Sequence, residues 1–260
     1  MDKSGTAPAR RYAYRQSWQP NETEVIEEAS LIIYINGQEL ITLMCTPVNL
    51  DWLALGFLRN EGLIAGLEEV EEIHINPNGC CVELWLNHSF EKPERTIITT
   101  GCVGGVTFDD PSLGIEPLYD TLQVTPQSIQ KTISNLQSKD SLYARSRGVH
   151  ASGLMNPGEN KLLAVAEDVG RHSSIDKVHG ACLLEEIKTR GRILLTTGRI
   201  SSEMLRKGAV MGCPIIASRT SPTSLSVEMA QAWNITLVGY VRNGGMQVYS
   251  YPERLGYNMT

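Results

Sequence analysis

A single cysteine stands in a glycine-rich run, TTGCVGGVTF, at residues 99–108. The three glycines around Cys102 remove side-chain bulk and leave the backbone free to bend, which predicts a thiol on a loop rather than in a core. Backbone N–H groups or a nearby cation could stabilise its thiolate, which could then attack an electrophilic sulfur. The alternative is a glycine-rich turn that happens to contain a cysteine.

Polar residues also crowd the segment between a predicted buried strand and a predicted helix. The apolar run at residues 162–166 is typical of a strand covered on both faces, and Ile175, Val178 and Cys182 recur at helical spacing. In open α/β sheets, ligands bind beyond the carboxyl ends of strands, where helix starts offer free N–H groups. The segment is therefore a candidate ligand site, with a solvated turn as an equal alternative. Its polar residues are Glu167, Asp168, Gly170, Arg171 and His172.

Two later crossings from strand to helix share this composition. The runs TTGRISS at residues 196–202 and SRTSPT at residues 218–223 each combine hydroxyls, an arginine and a helix start. Together with Arg171 and His172, they predict a rim of donors and positive charge suited to a large anionic ligand with phosphates. Solvated loop residues are the alternative for any one crossing.

The elements that would hold these residues alternate regularly. A helix is predicted from Thr125-Pro126, and a turn-rich Asn-Pro-Gly-Glu-Asn run then joins two strands into a hairpin. The alternation of strand and helix predicts an α/β domain over residues 121–260, with a mostly parallel sheet between helices. The predicted strands are residues 162–167, 192–197, 214–218 and 236–241, and the helices between them are residues 172–188, 201–212 and 221–233.

The amino-terminal half predicts a smaller α+β domain of hairpins and a helix, over residues 23–120 and ending in the Cys102 loop. Asn36-Gly37 lies between two alternating apolar runs, which is the strongest short signal for a hairpin. A second hairpin is predicted over residues 70–86. A helix capped by Asp51 is predicted between the two hairpins.

Composition and charge narrow the class of protein. The 260 residues are 42% hydrophobic with a net charge of −6, which argues against a general nucleic-acid or anionic-membrane surface but leaves room for a local basic pocket. No apolar run approaches the ~20 residues of a membrane span and no signal-peptide core is present, so a cytoplasmic protein is expected. Six cysteines in a chain without a secretion signal predict reduced thiols, and the lack of C-x-x-C and H-x3-5-H pairs argues against a structural zinc site. Residues 1–22 are polar, rich in arginine and unpatterned, and are expected to form a poorly ordered arm.

Long motifs follow one another along nearly the whole chain: NGQEL at 36, CTPVNLDWLALGFLRNEGLI at 45, TTGC at 99, GVHASGL at 148, AEDVGRHSSIDKVHG at 166, TTGRISSEM at 196, GCPIIASRTSPTSLSVEMA at 212 and TLVGYVR at 236. In this order they resemble the FdhD/NarQ family of formate dehydrogenase accessory proteins. The resemblance implies a sulfurtransferase that accepts sulfur from an L-cysteine desulfurase as a cysteine persulfide. It implies transfer of that sulfur to the molybdenum cofactor, molybdenum bis(molybdopterin guanine dinucleotide), bound as substrate, and formate dehydrogenase needs this sulfur. A cytidine-deaminase-like fold is implied for the carboxyl-terminal domain.

The resemblance also assigns residues. The persulfide-carrying cysteine corresponds to Cys102. Several relatives carry a second cysteine three residues later, where this chain has Gly105, so a resolving disulfide is in doubt while a persulfide still needs only one thiol. A nucleotide-binding segment near the carboxyl terminus is implied as well. Taken with the strand-end residues, the candidate cofactor-binding residues are His150, Arg171, His172, Arg199, Ser201, Ser202, Arg219, Tyr240, Val241, Arg242, Asn243, Gly244 and Gly245.

Two other functions are alternatives to sulfur transfer. A zinc deaminase needs H-x-E followed by P-C-x-x-C, whereas His150 is followed by Ala151-Ser152 and Cys213 precedes its proline without a partner cysteine. A chaperone that binds the immature cofactor or the apoenzyme without transferring sulfur is the second alternative. Whether the protein is a monomer or a homodimer stays open.

Overall fold

A computed structural model describes residues 4–15, 17–95, 97–98, 106–108, 110 and 114–257, so Cys102 and its predicted loop lie outside the described residues. In this part of the chain, two larger sheets of four and six strands and two two-stranded sheets combine with helices into a mixed α/β structure. Among the helices described, none is both long and apolar enough to cross a membrane.

The amino-terminal residues form a β-hairpin. Strands β1 (Thr6–Arg15) and β2 (Ser17–Ile26) pair antiparallel along their whole length. The expectation of a poorly ordered arm over residues 1–22 is therefore wrong for the residues described. The pairing places Tyr14 opposite Trp18, with their ring centroids 5.2 Å apart. Because the side chains on both strands are mostly solvent-exposed, the sequence lacks the apolar alternation that reveals a strand packed on a core.

The smaller domain is a four-stranded sheet covered by one helix. The sheet has the order β4-β3-β6-β5, and its inner face packs on α1. The predicted hairpin at Asn36-Gly37 is confirmed, and both turn residues have the positive φ that a tight hairpin needs. The second hairpin is confirmed too, but the cap of α1 is Asn49 rather than Asp51, which lies within the first turn. The elements are β3 (Ala29–Ile35), β4 (Gln38–Cys45), α1 (Leu50–Asn60), β5 (Val70–Ile75) and β6 (Cys81–Leu86), followed by a short hairpin of β7 (Ile97–Ile98) and β8 (Val106–Thr107).

The larger domain is a six-stranded sheet with the order β10-β9-β11-β12-β13-β14. The predicted strands and helices all form, with ends shifted by a few residues. Their pairing differs from prediction: only β11–β12 and β12–β13 are parallel, so the expected mostly parallel sheet is wrong. The elements are α2 (Pro126–Ser134), α3 (Leu142–Ser146), β9 (His150–Asn156), β10 (Lys161–Asp168), α4 (Arg171–Leu184), β11 (Ile193–Thr196), α5 (Ser202–Val210), β12 (Ile215–Ser218), α6 (Ser224–Ala232), β13 (Thr236–Arg242) and β14 (Gly245–Val248).

Hairpins at both edges explain the mixed pairing. The β9–β10 hairpin occupies one edge, and β14 returns along β13 at the other. Between them, alternate residues of β11 point to opposite faces of the sheet: Leu194 packs under α4, α5 and α6, whereas Ile193 and Leu195 pack under α2. The central parallel strands therefore lie between helices, and their carboxyl ends meet at one edge of the sheet.

Helices α1 and α4 join the two domains through backbone contact. A Cβ atom added at Gly56 would lie 1.8 Å from the carbonyl oxygen of Asp176, and one added at Gly180 would lie 1.9 Å from the carbonyl oxygen of Trp52. Only glycine permits so close an approach. The smaller domain therefore sets the position of α4, whose first residues are Arg171 and His172.

Candidate functional site

Two predicted site residues, His150 and Arg171, lie close to Gly198, where strands β9 and β11 face the start of α4. A Cβ atom added at Gly198, in the loop after β11, would lie 2.8 Å from Arg171 Cβ and 3.5 Å from His150 Nδ1. The missing side chain of Gly198 thus lets the loop pack against Arg171. Burial, together with the nearby charge of Arg171, lowers the pKa of His150. The imidazole of His150 is therefore neutral at pH 7, with one N–H donor and one acceptor nitrogen.

A layer of hydroxyl groups supports this loop from below. The Ser152 hydroxyl donates to Thr196 Oγ1 at 3.0 Å and lies 2.8 Å from Ser174 Oγ. The Gly198 N–H donates to Thr196 Oγ1 at 3.2 Å, and the Gly198 carbonyl accepts from Ser218 Oγ at 2.6 Å. The four hydroxyl residues are buried, so their role is to hold the loop in place. Contacts with a ligand would come instead from residues such as His150 and Arg171.

A second group joins the starts of α4 and α5. Ser201 Oγ donates to Glu203 Oε2 at 2.5 Å, and His172 Nε2 lies 3.4 Å from both atoms. Burial lowers the pKa of His172, so the neutral ring can donate its Nε2–H to the carboxylate. Although burial opposes it, hydrogen bonds from His172 and Ser201 lower the pKa of Glu203 to about 2. We call these residues, with His150, Arg171 and Ser202, the rim site.

A second feature is a cleft of about 560 Å³, lined by residues of α2, α3 and the end of β13. The Arg219 N–H donates to the Thr196 carbonyl at 3.2 Å, which ties one wall of the cleft to the end of β11. Arg219 Nη1 donates to Gln137 Oε1 at 2.5 Å, and the Arg242 carbonyl accepts from Gln130 at 3.1 Å. We call this the basic cleft, because its lining includes the cations Lys139, Arg147, Arg219 and Arg242 together with Tyr143, Val241 and Asn243.

Several of these residues were not predicted from the sequence. Lys139, Tyr143 and Arg147 lie around the short helix α3, in a stretch without a strand-end motif. The Glu167 carboxylate places this helix by accepting hydrogen bonds from the Leu142 and Tyr143 N–H groups, at 2.6 and 3.1 Å. Glu203 was also missed, although an acidic residue in the first turn of a predicted helix is a recognisable signal.

Other predicted residues lie apart from both groups. Arg199 is solvent-exposed and is not among the residues that line the basic cleft. Tyr240 is 40% exposed and has a positive φ of 54°. Gly244, in the turn between β13 and β14, and Gly245, the first residue of β14, are exposed, with open space around both. Of the predicted nucleotide segment at residues 240–245, the structure thus places Val241, Arg242 and Asn243 in the basic cleft.

The described cysteines differ in how accessible their thiols are. Cys45, Cys182 and Cys213 are buried, whereas Cys80 is exposed and Cys81 is half-buried. Burial raises the pKa of Cys182 to about 12 and raises that of Cys213 as well. Buried neutral thiols are poor nucleophiles. Among the described residues, no group of three or more His, Cys, Asp or Glu side chains is arranged to hold a metal ion.

The fold and these two groups define a mixed α/β protein with donors and cations gathered at the strand ends of its larger sheet. The model of the FdhD/NarQ family matches residues 26–256, and the chain belongs to this family. Proteins named sulfur carrier protein FdhD are similar along most of their length: that of Bacillus pumilus (strain SAFR-032) is 35% identical over 89% of this chain and 90% of its own. The one from Staphylococcus aureus (strain MRSA252) is 33% identical over 89% of both chains.

A solved structure shares the fold. The crystal structure of a protein from Desulfotalea psychrophila, titled as a formate dehydrogenase accessory protein, superposes with a TM-score of 0.80 and 30% identity. The match covers 96% of this chain and 99% of that chain. The resemblance inferred from the motifs is therefore confirmed.

Proposed function

We propose that the protein is a sulfurtransferase that accepts sulfur from an L-cysteine desulfurase as a persulfide on Cys102. It passes this sulfur to the molybdenum cofactor carrying guanine nucleotides, which formate dehydrogenase then uses. The names of its relatives support sulfur carriage and the link to formate dehydrogenase. The observation that supports the cofactor is the basic cleft, where four cations gather on a chain with a net charge of −6.

The first half-reaction needs one accessible thiolate. The Cys102 thiolate attacks the outer sulfur of the desulfurase persulfide, so that a new S–S bond forms at Cys102 and the desulfurase cysteine leaves as a thiolate. No net oxidant is consumed. Among the described cysteines, the buried ones are unsuited to this attack because burial disfavours their thiolates. Cys80 and Cys81 are the accessible rivals. Because the acceptor must be a free thiol, we expect the reaction in the cytoplasm, where thiols are kept reduced.

The basic cleft and the rim site supply what the second half-reaction needs. Phosphate oxygens can accept hydrogen bonds from Arg219, Arg242 and the N–H groups at the start of α5. The neutral His150 offers a further donor or acceptor. Fixing the cofactor through its nucleotides leaves the molybdenum end free, so that the reacting atoms are brought together without being covered. Zinc plays no part in this proposal.

The proposal is tested by mapping sulfur after incubation with a desulfurase, cysteine and pyridoxal phosphate. We expect mass spectrometry to find one added sulfur atom on Cys102. We expect no adduct in Cys102→Ala, and a normal adduct in the matched control Cys80→Ala/Cys81→Ala. An adduct that persists in Cys102→Ala and is lost in the control would reassign the carrier. An absence of any adduct on wild-type protein would favour a chaperone that does not transfer sulfur.

A further inference from the structure

Thr46, the residue after β4, contacts the crossing from β10 to α4 through three atoms. Its N–H donates to Asp168 Oδ2 at 3.1 Å, and its carbonyl accepts from Lys177 Nζ at 2.9 Å. Its hydroxyl oxygen accepts from the Val169 N–H at 3.0 Å. Thr46 is fully buried, so no water competes for these bonds. Thr46, a residue of the smaller domain, is therefore hydrogen-bonded to Asp168, Val169 and Lys177 of the larger one.

Asp168 and Lys177 complete the arrangement. Their side chains lie 2.6 Å apart and are both 0% exposed. The other carboxylate oxygen of Asp168 accepts from the Gly170 N–H at 2.7 Å. Gly170 is the residue that caps α4 and has no side chain to satisfy the helix start, so Asp168 orients the turn in its place. Arg171 and His172 of the rim site follow directly.

A buried ion pair of this kind is a weak source of stability, because desolvation of both charges offsets most of their attraction. The pair has a larger effect on local geometry, since removing one partner leaves the other charge buried without a counterpart. Burial raises the pKa of Asp168, and Lys177 and the two backbone N–H groups oppose that rise. Without Lys177 the carboxyl group would therefore bind a proton more readily and accept weaker hydrogen bonds from Gly170 and Thr46.

We propose that Thr46, Asp168 and Lys177 are positioning residues that fix the start of α4 and thereby place Arg171 and His172 for an anionic ligand. This inference rests on the proposed nucleotide site. On this proposal, the hydrogen bonds of Thr46 couple the position of the smaller domain to the ligand affinity of a site on the larger domain.

The chain offers a matched control. Lys207 is also buried and lies 2.6 Å from a carboxylate, that of Asp176; within the described part of the chain its ion pairs are with Asp176 and Glu61, not with the crossing. Calorimetry with GDP compares Lys177→Met with Lys207→Met, well below the unfolding temperature of each. We expect affinity to fall about tenfold or more in Lys177→Met, the effect of losing one charge-assisted contact, and to stay within about twofold of wild type in Lys207→Met. Because dissociation constants are measured on folded protein, stability loss alone does not change them.

Two milder variants cover the case in which Lys177→Met fails to fold. Thr46→Val keeps the shape and removes the acceptor for Val169, whereas Thr46→Ser keeps the hydroxyl. We expect weaker GDP binding in Thr46→Val and near-normal binding in Thr46→Ser. Wild-type affinity in Lys177→Met or Thr46→Val, or equal losses in the two lysine variants, would overturn the positioning role.

A measurement without ligand separates this inference from the proposed function. Hydrogen exchange followed by mass spectrometry reports the amides at the start of α4. We expect them to exchange faster in Lys177→Met than in wild type, and unchanged in Lys207→Met. If wild-type protein does not bind GDP, the nucleotide proposal fails, and the exchange result alone decides whether these residues fix the helix start. Unchanged exchange in Lys177→Met would refute it.

Discussion

Replacing Gly56 by alanine tests the backbone contact between α1 and α4. The new Cβ atom would lie 1.8 Å from the Asp176 carbonyl oxygen, whereas carbon and oxygen that only touch lie roughly 3.3 Å apart or more. The helices would have to separate by about 1.5 Å at the crossing. Side-chain rotation cannot relieve this clash, because both the new atom and its neighbour are fixed to backbone.

The expected loss of stability follows from two opposing effects. Overpacking a tight contact costs about 3 kcal/mol or somewhat more, and the higher helix propensity of alanine returns about 1 kcal/mol. The net cost of about 2 kcal/mol corresponds to a fall of roughly 4–8 °C in melting temperature for a chain of this size. Thermal unfolding followed by circular dichroism measures it.

Gly158→Ala is the matched control. Gly158 is exposed, and a Cβ atom there would meet nothing closer than 3.9 Å. We expect this variant to melt within about 1–2 °C of wild type, as surface substitutions usually do. A Gly56→Ala variant that melts with the control would refute the close approach of the two helices.

Two further predictions concern the ligand and pH. Arg242→Ala should weaken GDP binding by about ten- to a hundredfold, and by less at high salt. The control is Arg10→Ala, because Arg10 is exposed and does not line the basic cleft. Calorimetry that gives equal affinities for GDP, ADP and CDP would remove guanine recognition from the proposal. Burial lowers the pKa of His179 from 6.5 to about 3, so its contribution to stability is complete above pH 6.5 and is lost as the pH falls below it. Between pH 7 and 5 this loss is about 2 kcal/mol, and urea unfolding of His179→Gln should show a fall smaller by that amount. An equal fall in both proteins would contradict the assignment.

Local sequence signals predicted much of the fold. Asn36-Gly37 and Thr125-Pro126 act through their own backbone preferences, and the structure has the hairpin and the helix start where they stand. The alternation of strand and helix after residue 160 was also visible, since apolar spacing reports which face is covered. Such signals do not specify partners: the β9–β10 hairpin was predicted, but not the antiparallel pairing of β9 with β11 or of β14 with β13.

The candidate site was only partly predictable for the same reason. Arg171, His172 and Ser201 follow strand ends, and the general rule for α/β sheets identified them. Lys139 and Arg147 reach the basic cleft from a loop and a short helix, where no local pattern indicates a shared site. The bond between Thr46 and Asp168 joins residues 122 positions apart, and only the folded chain brings them together.

An acidic chain with a basic cleft can bind a small anion such as a diphosphate and still disfavour a large polyanion such as a nucleic-acid duplex. At physiological ionic strength charges are screened over about 8 Å, so a ligand inside the cleft of about 560 Å³ is governed by the cations that line it. A nucleic-acid duplex spans a much larger surface and meets the acidic residues that give the chain its net charge of −6. The overall charge therefore argues against a polyanion partner without arguing against a small diphosphate. By this reasoning, the residues around α3 that the sequence patterns did not reveal matter more for the ligand than the composition of the whole chain.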